Sequence, residues 1–265
     1  MGGDKTKIVL GYILICLIWG STWIAIKLGL DTLTPMFAVG LRFFIAAIVL
    51  YFIIKLNNID IQTDSKSIKL YLFMGLFSFV IPFSLVYWAE QFVPSGLASV
   101  LFAIFPFWVI LFSRIAFPKE RIGMYKLFGV ILGFIGIAVI FKNEFSFNFG
   151  DNTLGILAVI LSAIMQGGVA VVMKKYGQEL NPVSMNFYPL LITGLVLVPI
   201  GLLFEESSRI TFSSNALFSI LYLSIVGTVV AFTVYYWLLK RINVVILSLS
   251  SFITPIIALL LGWFF

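Results

Sequence analysis

Residues 71–117 and 220–265 read as two versions of one apolar, helix-forming segment, and that duplication constrains the fold more than any other feature. Sliding the first by 149 positions puts Phe83 on Phe232, Tyr87-Trp88 on Tyr236-Trp237, Ser99 on Ser248, Ile104 on Ile253 and Pro106 on Pro255, without a gap. Aliphatic coincidences mean little in a greasy chain, but an aligned tryptophan and an aligned mid-helix proline are harder to produce by chance. The chain is 62% hydrophobic and 11% charged. A soluble domain holds about 45–50% apolar and about 25% charged residues, so lipid is the medium in which this surface can be hidden.

Nine apolar runs follow one another, near 8–28, 35–54, 69–90, 95–117, 124–141, 153–173, 184–204, 215–239 and 243–264. The fold class is therefore all-α and polytopic. The first run is too long for a cleaved leader, and it carries Trp19 and Trp23. With the N-terminus in the cytoplasm, one side carries Lys5, Lys7, Lys55, Lys66, Lys69, Arg114, Lys119, Arg121, Lys126, Lys174, Lys175, Lys240 and Arg241. The other side carries Lys27, Lys142 and Arg209, giving thirteen against three, with Arg42 inside a span. Asp31, Glu144, Asp151, Glu205 and Glu206 fall on that sparse side. The asymmetry predicts a cytoplasmic N-terminus in the inner membrane. The net charge of +6 thus reports orientation, not nucleic-acid binding.

The first unit, 1–142, holds five spans, and Leu10-Gly11 and Pro35 have counterparts in Leu154-Gly155 and Pro182. The second unit, 153–265, holds four. An odd number of spans per unit predicts inverted repeats around a central cavity. Phe117 shifted by 149 lands one position beyond Phe265, so the expectation is a ten-span plan whose tenth helix is absent from this chain. A natural nine-span protein is the alternative.

Several short motifs carry a family likeness. They are Trp19-Gly20-Ser21-Thr22-Trp23, Arg42 followed by Phe43-Phe44 and Ala46-Ala47, Tyr87-Trp88-Ala89-Glu90-Gln91, Pro94-Ser95-Gly96-Leu97-Ala98-Ser99, and then Pro106 and Glu120-Arg121. In that order, with the duplication, the chain resembles the EamA-type transporters of the drug/metabolite transporter superfamily. The resemblance implies ten helices around a central cavity, with spans five and ten peripheral. It also implies movement of small organic solutes, often export of amino acids and related metabolites.

Each candidate binding residue has a plainer reading beside the functional one. Trp19, Thr22 and Trp23 share the middle of span one and either line a partly wet cavity or pack helices around Gly20 and Ser21. Arg42 either snorkels to the headgroups or pairs with Asp31 or Glu90, or it meets a substrate carboxylate. Glu90 is a solvated end, a structural ion pair, a gate or a proton acceptor. Tyr87-Trp88 and Tyr235-Tyr236-Trp237 form an aromatic belt or a pair of gates.

Pro106 and Pro255 free the carbonyls of Phe102 and Ser251, making them candidate hinges or static bends. Ser248, Ser251 and Thr254 make a polar stripe at spacing three, with Ser99 its counterpart in span four; the hydroxyls can also bond back to their own helix. Gln166, mid-span beside Gly167-Gly168, needs a neighbour, water or ligand. Asn186 and Tyr188 complete the list on family likeness.

Gly129, Gly133 and Gly136 have helix-packing spacing, and a homodimer contact is one reading. The chain has no histidine and only Cys16, so no metal or cofactor is expected. No phosphate loop, zinc motif or nucleophile elbow points to an enzyme. The partners expected are a small solute and the lipid bilayer. A phosphate-ester or nucleotide-sugar antiporter would need several cavity cations where only Arg42 is available. A non-transporting scaffold or sensor is the reading from another class.

Overall fold

A computed structural model describes the backbone of residues 2–119, 123–140 and 149–264. Glu120, Arg121, Lys142 and Glu144, and the side chains of Lys126 and Asp151, lie outside the described residues. Among those described, every long element is helical. They are α1 (Gly2–Leu30), α2 (Pro35–Leu56), α3 (Ser65–Ala89), α4 (Ser95–Ala116), α5 (Met124–Ile140), α6 (Phe149–Tyr176), α7 (Ser184–Phe204), α8 (Ser214–Arg241) and α9, which runs as Val244–Ser248 and Ser250–Phe264.

Eight of these are long and apolar enough to cross a bilayer. The fifth run forms a 17-residue helix whose apolar stretch, Leu127–Val139, is shorter. A span needs about 17–25 residues, so α5 lies at the lower limit. The chain is a multi-pass membrane protein whose outer faces present side chains such as Leu10, Ile115, Leu132 and Leu203.

Helix ends follow local chemistry. Asp64 accepts from the N–H groups of Lys66 and Ser67, at 3.0 and 3.1 Å, and so opens α3. The same contacts, with the Ser67 hydroxyl, hold its carboxyl below the usual carboxylate range. Ser213 opens α8 and Asn243 opens α9 in the same way. Thr34 makes no such bond at α2. There the carboxylate of Glu205, just past α7, accepts from Met36 N at 3.0 Å and Phe37 N at 3.1 Å. A negative charge at a helix N-terminus also complements the helix dipole.

That contact is one end of a seam between α2 and α7. A Cβ added at Gly40 would sit 2.6 Å from Val198 N, and one at Gly194 2.7 Å from Phe44 Cα. A Cβ at Gly201 would collide with the Phe37 backbone. Glycine is required here because backbone meets backbone.

The loop after α1 meets the loop after α7 through Thr211 N–H to the Thr32 carbonyl, at 2.9 Å. The loop after α2 meets the loop after α6 through Asn181 N–H to Gln62 Oε1, at 3.3 Å, and beside it Lys66, in the first turn of α3, pairs with Glu179 at 3.5 Å. These two loop pairs lie at opposite ends of the seam.

Two membrane helices widen into π-helical turns, α3 at Gly75–Val80 and α8 at Ile225–Val230. They lie 150 positions apart, one more than the offset of the sequence repeat. In α3, Pro82 lies two residues past the π turn and has no N–H to continue the ladder. Such turns leave backbone groups free for other partners, and they recur at functional sites.

Candidate functional site

A cavity with about 960 Å³ of atom-free space, its open mouth included, lies among α1, α2, α3, α4, α6, α8 and α9. Helix α1 supplies Trp19, Thr22, Trp23 and Ile26. The two indoles reach opposite neighbours: Trp19 packs on Phe232 and Tyr235 of α8, at 5.3 and 5.2 Å between ring centroids, and Trp23 meets Phe102 of α4 at 6.1 Å. Residues four apart on one helical face can do this while both rings still face the cavity.

Arg42 is 2% exposed. It neither snorkels nor forms an ion pair with Asp31 or Glu90, and both of those expectations are overturned. Instead Nε donates to Thr228 Oγ1 at 2.9 Å, Nη1 to Tyr87 OH at 3.2 Å and Nη2 to the Gly227 carbonyl at 3.3 Å. Gly227 and Thr228 belong to the π turn of α8, which is why a mid-helix carbonyl is available to a guanidinium. The rings of Phe43 and Phe83 lie 5.1 and 5.3 Å from its central carbon. A helix with regular hydrogen bonding could not have offered this seat, and that is why the sequence, which left snorkelling, an ion pair and a substrate carboxylate open, did not show it.

Gln166 stands in the wall of α6, with Oε1 accepting from Ser78 Oγ at 3.2 Å. Ser78 lies in the π turn of α3. Ser162, one turn before Gln166, is fully buried in the wall, and its hydroxyl has no hydrogen-bond partner.

The polar stripe of α9 divides. Ser251 and Thr254 line the cavity with Ser250, and Ser248 lies outside the lining; all three stripe hydroxyls bond back to the carbonyl three residues earlier, Ser248 at 2.7 Å, Ser251 at 3.0 Å and Thr254 at 3.3 Å. Ser99 likewise bonds back, to Gly96, at 2.6 Å.

Other expected residues lie outside the wall. Tyr87 is buried behind it, holding Arg42, and so belongs to neither an aromatic belt nor a gate. Trp88 packs on Phe92 at 5.3 Å. Tyr188 stacks on Tyr71 at 5.0 Å, and Asn186 bonds Pro182 and Thr233. Helix α7 contributes nothing to the lining, because its inward face is used against α2.

Of the second aromatic cluster, Tyr235 and Tyr236 line the cavity, while the ring of Trp237 carries Arg241 at 4.1 Å. Glu90, in the turn beyond the end of α3, is 9% exposed. It accepts from Ser95 at 2.9 Å, and its other oxygen has no partner. Burial pushes its carboxyl above the usual carboxylate range, against weaker opposing pulls from Ser95, Lys27 and Arg42.

The two prolines do different things. Helix α4 is interrupted at Ala103–Ile104, and Pro106 opens the next segment, where a missing N–H costs nothing. Helix α9 runs through Pro255 and breaks at Leu249 instead. Of these two, Pro255 alone lies inside a helix, so the expectation of two equivalent kinks is corrected. On α5, Gly133 packs on Phe252, while Cβ atoms added at Gly129 and Gly136 would meet nothing within 4 Å.

Sequence reading missed Ser78, Phe83, Phe102, Phe105, Ser162 and Phe232 as wall residues, and named Tyr235 only within an aromatic belt or gate. Phe83 and Phe232 were visible as a matched pair across the repeat, and Ser162 shares a helical face with Gln166. Among the described residues no group of three His, Cys, Asp or Glu side chains could hold a metal.

The comparisons with known proteins agree with this architecture. A crystal structure 20% identical in sequence superposes with a TM-score of 0.80, covering 97% of this chain and 87% of the other. A Bacillus subtilis protein named uncharacterized transporter YoaV is 30% identical over 97% of this chain and 88% of its own length. Protein PagO of Salmonella typhimurium is 30% identical over 96% and 83%. The uncharacterized inner membrane transporter YedA of Escherichia coli K12 is 26% identical over 93% and 78%. The sequence model of the EamA-like transporter family matches residues 6–142 and again 153–265, and the chain belongs to that family, as a membrane transporter.

Proposed function

We propose that this transporter moves small organic solutes, amino acids or metabolites related to them, by alternating access through the cavity between α1–α4, α6, α8 and α9. The cavity carries the reading: aromatic faces surround a few polar groups, Arg42, Ser78, Gln166, Ser251 and Thr254, which is the make-up of a small-molecule site. The two matches of the family model and the two π turns 150 positions apart support inverted units over 1–142 and 153–265. In that scheme the seam between α2 and α7 is the static frame, and α3, α4, α8 and α9, with their π turns and interruptions, are the parts that rearrange.

The thirteen-to-three distribution of Lys and Arg supports an N-terminus in the cytoplasm and an inner-membrane location. Export is the direction we favour. The free faces of Gly129 and Gly136 are compatible with a homodimer. A phosphate-ester antiporter is disfavoured by a wall with Arg42 as its one basic residue.

The test is exchange of labelled amino acids and their carboxylate relatives in proteoliposomes, with and without a pH gradient. Saturable exchange that is lost in Gln166→Ala and Trp23→Ala, in protein that still melts cooperatively, is the expected result. Well-folded protein that exchanges none of them would leave the scaffold or sensor reading.

A further inference from the structure

The charge of the cavity wall is unbalanced. Of its twenty lining residues one, Arg42, is basic and none is acidic. The ion pairs among the described residues, Lys66–Glu179 and Arg209–Glu206, do not involve Arg42. A guanidinium carries five N–H groups, and Arg42 commits three of them, all to neutral oxygens. Glu90 is an acid that feels its charge, but Glu90 lies outside the wall and burial favours its neutral form. A buried cation held only by neutral partners favours an incoming anion, and a guanidinium fork suits a carboxylate. The rest of the wall is chiefly rings, Trp19, Trp23, Phe102, Phe232 and Tyr236 among them, and the Ser162 hydroxyl is unpartnered.

We propose that the cavity selects organic monocarboxylates with an apolar or aromatic body and no ammonium group, the carboxylate seated at Arg42. This rests on the cavity being the solute site, as read above, and narrows the solutes considered there. A carboxylate neutralises Arg42. The ammonium of a zwitterionic amino acid would add a second cation to a wall without an acid. The aromatic faces can attract an ammonium, yet they do so beside Arg42 and after its water has been removed. A dianionic phosphate ester would leave one negative charge unmatched.

Three compounds with one ring separate these cases: 3-phenylpropionate, L-phenylalanine and phenethylamine, titrated calorimetrically into the full chain in lipid nanodiscs. The expected order of affinity is as written, with at least about a tenfold gap between the first two. Arg42→Lys should keep the order at lower affinity, and Arg42→Gln should abolish the preference for the carboxylate. Because Arg42 also ties α2 to α3 and α8, the nearly isosteric Gln166→Glu provides a second route. It adds an acid to the wall and should shift preference toward phenylalanine. Phenylalanine binding the unaltered protein as tightly as phenylpropionate would overturn the proposal and leave the solute-site reading standing. Failure of all three to bind protein that melts cooperatively would remove the solute-site reading beneath it.

Discussion

The seam between α2 and α7 and the wall of the cavity are built on opposite terms. In the seam, glycines let two backbones touch, and both ends are tied by loop contacts and by Glu205. In the wall, helices meet through large rings, at centroid distances of 5.2–6.1 Å between α1 and its neighbours, rather than through backbone. Helices there are widened or interrupted, and a buried hydroxyl is left unpartnered. The difference teaches where rigidity is needed. Close-packed backbone has no alternative arrangement of similar energy, whereas rings and π turns can repack. Arg42 joins the two regions, since it belongs to α2 of the seam yet faces the cavity through the π turn of α8.

The largest effect should come from filling the seam. Gly194→Leu or Gly201→Leu forces the backbones apart and should destabilise the protein by about 3 kcal/mol or more. Gly129→Leu or Gly136→Leu, with open space around each, should leave the detergent melting temperature unchanged. Equal tolerance at both sets would erase the contrast between seam and periphery.

The reverse holds in the wall. Gln166→Ala should weaken solute binding by about tenfold, while the loss of one hydrogen bond to Ser78 costs about 1 kcal/mol of stability. A melting temperature that collapses with binding intact would make Gln166 structural and sharpen the boundary differently.

At the end of the seam, Glu205→Ala removes the acceptor for the first N–H groups of α2. It should cost about 1 kcal/mol, as losing a helix N-cap does. Glu205→Asp is too short to reach Met36 and Phe37 as well, and should fall between.

The last effect is read against pH and concerns Glu90. Its carboxyl is raised in the folded protein, chiefly by burial. Between the ordinary carboxylate value and the raised one, the native state keeps a proton that the unfolded chain releases, so stability falls as pH rises through that window. Glu90→Gln should flatten this slope in melts taken across pH. An unchanged slope would mean that Glu90 is ionised and paired in the folded protein.

Much of this was legible in the chain. The apolar runs gave nine helices in order, because a bilayer leaves the backbone of a spanning segment no partners but its own. Trp19, Thr22, Trp23, Gln166, Ser251 and Thr254 were recognised because polar or indole groups inside a span need a reason to be there. Ser248 and Tyr87 show where that logic stops. A serine can satisfy itself on the preceding turn, and a tyrosine near a helix end can face inward as well as to the interface.

By itself, then, the sequence determined the all-helical membrane class, the repeat of its apolar pattern, the charge asymmetry of its loops and the family. Those properties depend on local periodicity and composition, which are linear in the chain. The tertiary structure decided that α7 is turned away from the cavity, that Pro106 starts a segment while Pro255 interrupts a ladder, and that Arg42 has neutral partners in place of an acid. Each of these depends on which backbone groups two π turns leave free and on which helix faces are already occupied, and neither is fixed until the helices have packed.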